Sequence, residues 1–507
     1  MSSYPNLNRE EKSKNYFLII ISLLYLCKII LYPKTVQLGG SEIHYFAYFY
    51  DYLNFFKNFE YTGLQTERWH YQEFRWGMYV FPIILSFIIK SHEIIFFINS
   101  PILIYTSFCI FIIILKKYLN IYSLLFFIFF WIIHPDITKF TYSFSTNAAS
   151  ILVISVILLM ISRFDYLKEK YNSKKFLIIL LLLFFLLYGI RETNIIFFPF
   201  IIYFLVKNFD YKHIYFSIIF GLILYFLETL FIGLITNWEY KFGRLLLHFI
   251  GDTSWIEFMK NDSLRFGEGY SIKNFSRSFL DGGIFSRWYF TGLTINFFYI
   301  FSLIYAIKLT SSSQLKKNKI FYQNISFLYL SYFFTLSFAL AGINPPTPFI
   351  HFNIGIQSIG LPLAIIIFLI FLDEVCLEIK SNLKLIFIYS FVFVLLSLKS
   401  FNHLYKVDFK DIRLNQYNLI SIKGHINKFK EQFNSSDCIN VKGSFIHLQY
   451  LFKDGTLDQT KVEKLDRFID LDPKKYIEYT TNNKFNKINF VSDCRNIFKF
   501  YKFKIIK

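Results

Sequence analysis

Charge is what this chain has least of. Of its 507 residues only 18% are Asp, Glu, Lys or Arg, while 54% are hydrophobic. A water-soluble domain shows amphipathic stripes with a polar face, and these apolar runs have none, which excludes that class. Cysteine is scarce as well. Five residues are too few for a disulfide scaffold, although Cys438 and Cys494 can pair if the tail that carries them faces an oxidising compartment. Cys27 and Cys109 sit in apolar runs and read as core residues. The chain also lacks metal-ligand spacing and a phosphate-binding Gly loop, so neither a metal module nor a nucleotide cradle is written in it.

The apolar residues are gathered into runs such as 176–190 and 214–236. Runs approaching 20 residues match the roughly 30 Å hydrocarbon core, where every backbone polar group must be satisfied internally, so they predict helices. The pattern predicts an all-α polytopic membrane protein with about eleven transmembrane helices. They fall near 16–33, 94–115, 120–134, 147–162, 176–190, 195–206, 214–236, 288–307, 320–341, 354–372 and 385–400. The 67 Phe and 37 Tyr read as coding bias of an AT-rich genome, not as stacking platforms. The net charge of +19 includes Lys clustered in short interhelical loops, which is a topology signal and argues against nucleic acid as a partner.

Basic residues set the orientation. Arg9, Lys12 and Lys14 place the N-terminus in the cytoplasm, and every strongly basic short loop then returns to that side. The remaining connections, including long loops at 34–93 and 237–287, fall outside, as does the tail. Residues 77–90 are apolar but short, and Pro82 interrupts them; they read as an interfacial or re-entrant helix. Residues 1–400 thus form the transmembrane domain, and 401–507, which alternate apolar and polar residues in places, a small extracytoplasmic α/β domain.

Chemistry in such a protein needs polar groups near the membrane, and the outer loops hold them. The first carries Glu42, His44, Asp51 and Arg75. The second holds His134-Pro135-Asp136, a helix stop with a capping Asp or a second acidic group for catalysis. Arg191 and Glu192 lie in a short turn between strongly apolar runs, where an anionic headgroup or a structural pair accounts for them. Glu228 falls inside a run and calls for an interior partner. The loop 237–287 interleaves Arg244, His248, Asp252, Arg265, Arg277 and Arg287 with Trp and Phe, as a surface lying on phospholipid does. His351 follows the Pro-rich turn 344–348.

In this order the segments resemble the GT-C superfamily of integral-membrane glycosyltransferases, its mannosyltransferase-like branch in particular. Gly40-Ser41-Glu42-Ile43-His44-Tyr45 looks like the family's acidic segment after the first helix, with Ser41 where relatives often have Asp. Residues 73–82, His134-Pro135-Asp136 with 142–147, Arg191-Glu192-Thr193-Asn194 and 348–362 resemble later family segments. In the last, His351-Phe352 stand where many relatives have Arg-Tyr. The resemblance implies a polyprenyl-phosphate-linked sugar donor and a glycan or glycolipid acceptor, met at the outer face of a cell (inner) membrane.

It also implies roles. Glu42 is the base, with Asp51 as the neighbouring substitute, and Asp136 positions the acceptor or a divalent ion such as Mg or Mn. Arg191, His351 and Arg75 hold the donor phosphate, and His44 and Glu192 line the substrate. An O-antigen-type polymerase, favoured by the Arg-rich loop 237–287, and a lipid-saccharide flippase or transporter are the competing classes.

Overall fold

Apolar sequence that must satisfy its own backbone becomes helix, and helix is what the chain forms. A computed structural model describes residues 5–31, 75–90, 92–142, 146–191, 197–235, 292–311, 319–341, 348–377 and 382–403, apart from single positions. It also describes isolated positions between these stretches and two short strands. Fourteen helices follow one another among the described residues. They are α1 (Pro5–Leu31), α2 (Trp76–Ser86), α3 (His92–Tyr118), α4 (Ile121–Ile133), α5 (Pro135–Tyr142), α6 (Thr146–Ser162) and α7 (Phe164–Tyr171). Then come α8 (Ser173–Ile190), α9 (Phe198–Asn208), α10 (Tyr211–Ile235), α11 (Gly292–Ser311), α12 (Lys319–Ala341), α13 (Pro348–Cys376) and α14 (Asn382–His403). Strands β1 (Cys438–Val441) and β2 (Ile488–Val491) pair antiparallel, Cys438 opposite Val491. Cys494 and the rest of the expected C-terminal domain lie outside the described residues.

Three stretches are long and apolar enough to cross a membrane: Ile98–Tyr118, Ser173–Ile190 and Tyr211–Phe231. A fourth candidate is the pair Thr146–Ser162 and Phe164–Lys170, bent by 78°. The outward faces match. Along α10, Ile218, Leu222, Phe226 and Leu227 are exposed, and along α1, Ile19, Ile20, Leu23 and Leu24. In water such continuous apolar faces are a liability, whereas in lipid they are the solvated surface. This is the architecture of a helical membrane protein. Cys27, expected in the core, belongs to that exposed face, because it lies on the opposite side of α1 from the buried Tyr25 and Ile29.

The centre of the bundle is α6, with 15 of its residues buried. It packs against α2, α3, α5, α8, α12 and α13. Ala148, Ala149, Ser150 and Ser155 let those neighbours approach, which matters because lipid tails supply no hydrophobic drive for helix association. At Arg163 the chain turns into α7, whose Asp165, Tyr166, Glu169 and Lys170 are exposed while Phe164 is buried.

Basic residues gather at one end. Lys116 Nζ donates to Asn15 Oδ1 (2.7 Å), Lys207 Nζ to Gln323 Oε1 (2.8 Å) and Lys168 Nζ to the Asn208 carbonyl (3.3 Å). Asp373 closes the same end by accepting from Asn120 N (2.9 Å), Asn120 Nδ2 (2.6 Å), Tyr389 OH (2.6 Å) and Ser123 Oγ. That cluster fastens the α3–α4 turn to α13 and α14. Asp210 caps α10, and its bonds from the His213 ring and backbone N–H hold its carboxyl below the usual carboxylate range. Ring stacks tighten this end as well, Tyr118 on Phe321 at 3.8 Å and Tyr203 on Phe327 at 3.9 Å.

At the far end α2 lies against α8 with no space between the backbones. A β-carbon on Gly77 would stand 2.5 Å from Ile190 N and 2.6 Å from the Gly189 carbonyl carbon. One on Gly189 would stand 2.5 Å from the Trp76 ring. With 11 residues, about 16 Å of helix, α2 is too short to span. It packs on α3, α6 and α8, and Phe87 and Ile88 beyond its C-terminus are exposed.

Gly77→Ala is expected to cost about 1–3 kcal/mol by overpacking against backbone that cannot yield. Gly221 has nothing within 4 Å of its would-be β-carbon, so Gly221→Ala is expected to leave stability unchanged or raise it. Thermal unfolding in detergent, followed by tryptophan fluorescence, compares the two; equal losses would contradict the packing assigned to α2.

Candidate functional site: buried polar groups at the far end

Two arginines flank the α2–α8 contact. Arg75 is the residue before α2 and is 4% exposed; Arg191 is the residue after α8 and is 9% exposed. Because Gly77 touches Ile190, the two chain positions adjoin. Arg191 is extended (φ −157, ψ 128), and its N–H bonds the Leu187 carbonyl to close the helix. The start of α2 carries partial positive charge and the end of α8 partial negative charge, so the helix ends offset one another. Two guanidinium groups are thus buried at that place, and a planar guanidinium is the side chain best matched to phosphate oxygens.

Trp76 and Glu228 fix the segment from the other side. Trp76 Nε1 donates to Glu228 Oε1 at 2.9 Å, and Glu228 on α10 is 2% exposed. The interior partner expected for Glu228 is therefore an indole of the α2 helix. Part of the first loop docks here too. Tyr52 stacks on Tyr79 (4.7 Å) and lies 6.3 Å from Phe231, and Phe49, Tyr52 and Leu53 are buried. Those residues follow the acidic segment of the sequence by only a few positions.

His134 stands where the helix-stop reading put it. Helix α4 ends at Ile133, His134 is extended, and α5 restarts with Pro135 in its first turn, the position where a missing N–H costs nothing. The His134 ring is buried 4.8 Å from Phe130. Lys28, inside the first apolar run, donates from Nζ to the Ile132 carbonyl at 2.6 Å. Sequence reasoning passed over Lys28, yet a cation inside an apolar run is itself a signal. Asn194, behind Arg191, donates through Nδ2 to Leu187 O (2.8 Å) and Ser150 Oγ (3.1 Å), joining the Arg191 turn to α6.

Of the residues expected from sequence, Arg75 and Arg191 flank one helix contact. Asp136 belongs to α5 and His351 to α13, but their side chains lie outside the described set. Glu42, His44, Asp51 and Glu192 lie outside the described residues, as does the loop 237–287. Among the described residues no group of three or more His, Cys, Asp or Glu is placed to hold a metal ion. No protein-family model matches the chain, and no curated protein matches it.

Trp76→Phe removes the donor to a buried carboxyl group and is expected to cost about 1–3 kcal/mol. Glu228→Leu removes the other partner, and a double-mutant cycle on unfolding is expected to give a coupling of about 0.5–3 kcal/mol. Additive losses would show that the two side chains do not support each other.

Proposed function

We propose that the chain is a membrane glycosyltransferase that moves a sugar from a polyprenyl-phosphate donor to a lipid-linked or cell-envelope acceptor. The observation that carries this reading is the burial of Arg75 and Arg191 on the two strands of chain that flank the α2–α8 contact, at the end of the bundle where the first loop docks. A donor of this kind keeps its tail in lipid and presents a phosphate at the membrane face, where buried guanidinium groups suit it. Its resemblance to the GT-C superfamily in motif order supports the same reading.

In the reaction the acceptor hydroxyl oxygen attacks the anomeric carbon of the sugar. The bond from that carbon to the phosphate oxygen breaks, and polyprenyl phosphate leaves with the bonding electrons. Arg191 and Arg75, with His351, stabilise the charge that develops there. Glu42 takes the hydroxyl proton, Asp51 is its nearest substitute, and Asp136 orients the acceptor or a divalent cation. His44 and Glu192 contact the substrate.

The topology proposed with it has eleven spans, a cytoplasmic N-terminus, and an extracytoplasmic α/β domain after residue 400 in the inner membrane. A flippase needs polar groups along the length of the bundle. Among the described residues the buried Arg, His and Glu side chains instead gather at the far end.

Glu42→Gln is expected to abolish detectable transfer from polyprenyl-phosphate hexoses in membrane fractions while insertion is unchanged, since a general base is worth about 10²–10⁴ in rate. Near-normal turnover would rule out the assignment. In a cysteine-free background, Ser173→Cys is expected to resist a membrane-impermeant maleimide in intact cells and Ser435→Cys to react with it. The reverse pattern would invert the topology and place the site on the wrong face.

A further inference from the structure

On the turn that carries Arg191, and on the α6 helix to which that turn is bonded, two buried amide oxygens lack a donor. Asn194 is 4% exposed, and its Nδ2 is bonded to Leu187 O and Ser150 Oγ. A carbonyl only accepts, so the Leu187 bond fixes which end of the amide is nitrogen. Oδ1 therefore faces away from both, buried and with no hydrogen-bond partner. The Asn194 N–H bonds the Arg191 carbonyl (2.9 Å), so this oxygen is carried on the same turn as the arginine. Asn147, 8% exposed on α6, holds a second such oxygen. It stands three positions before Ser150, to which Asn194 bonds, so Asn147 lies about one turn along the same face of α6 from the point where Asn194 meets that helix.

A buried acceptor left unmade costs about 1–3 kcal/mol, and hydrocarbon offers no bulk water to satisfy it. The chemistry of the oxygens selects the ligand. An amide oxygen accepts from hydroxyl groups and repels phosphate oxygens, so this pair complements Arg191 and does not duplicate it.

We propose that Asn147 and Asn194 form a subsite for the hydroxyl groups of an uncharged hexose, adjoining the phosphate position at Arg191. The inference rests on the glycosyl-transfer reading and extends it. The phosphate of the donor meets the arginine, and two sugar hydroxyls donate to the two amide oxygens. A site built to hydrogen-bond hydroxyls also discriminates against ligands that lack them.

The test titrates the full chain in nanodiscs, by native mass spectrometry, with bare polyprenyl phosphate and with polyprenyl-phosphate glucose, mannose and galactose. The wild-type protein is expected to bind at least one hexose lipid more tightly than the bare phosphate. Asn147→Ala and Asn194→Ala are each expected to weaken that hexose lipid about five- to tenfold and to leave bare phosphate within about twofold. Arg191→Ala is expected to weaken both ligands. Asn147→Ala removes an amide but none of the bonds that tie the Arg191 turn to α6, so it reports even if Asn194→Ala, which loses both, fails to fold. Equal weakening of bare and hexose lipid in Asn147→Ala, or no preference for any hexose lipid in the wild-type protein, would overturn the subsite. Stabilisation by NaCl over choline chloride that Asn147→Ala loses would assign the oxygens to a cation and overturn it too. An Asn147-dependent hexose preference without transfer to any acceptor would sink the transferase reading while the subsite stands.

Discussion

Everything at the far end of the bundle depends on one contact with no room for a β-carbon. Gly77 lies on the backbone of Gly189 and Ile190, and Trp76 lies on Gly189. Side chains elsewhere can shift to accommodate a neighbour, but backbone against backbone cannot. The contact therefore sets the depth and direction of α2, and with them the position of Arg75 beside Arg191. Glu228 holds the same segment through Trp76, so α2 is fixed from α8 and from α10 at once.

Around that contact the bundle sorts its polar groups by what each end must do. Exposed and half-buried lysines, Asp373 and Glu374 tie helix ends together at the basic end, Lys308 reaching Glu374 at 3.3 Å. There charged groups reach water and the bonds fasten turns. At the far end Arg75, His134, Arg191 and Glu228 are each almost fully enclosed. Ionisable groups enclosed next to lipid are rare and mark functional sites by default, which is why this end carries the functional reading.

The helices were legible in the sequence because hydrocarbon imposes a single solution on a long apolar run. The stop at His134-Pro135 and the shortness of 77–90 were legible for the same kind of reason: a missing N–H and a length that does not span. Arg75 and Arg191 could be singled out as charges among apolar runs. That they adjoin could not, because the approach rests on Gly77 meeting Gly189, two glycines separated by more than a hundred residues with no local pattern to link them. Asn147 and Asn194 look like ordinary polar residues at helix ends until the bonding of each amide atom is known. Cys27 was misread because a run apolar on every side does not say which face meets protein and which meets lipid.

The central claim is that the acidic segment after the first helix and the buried arginine pair serve one site. An experimental structure in lipid nanodiscs with a polyprenyl-phosphate hexose bound measures this directly, through the positions of the Glu42 and Asp136 carboxyl groups relative to the Arg191 guanidinium. The account predicts both carboxyl groups within about one sugar's width of each other, opening onto the cavity that holds the phosphate at Arg191. Carboxyl groups separated from Arg191 by packed helices would contradict it.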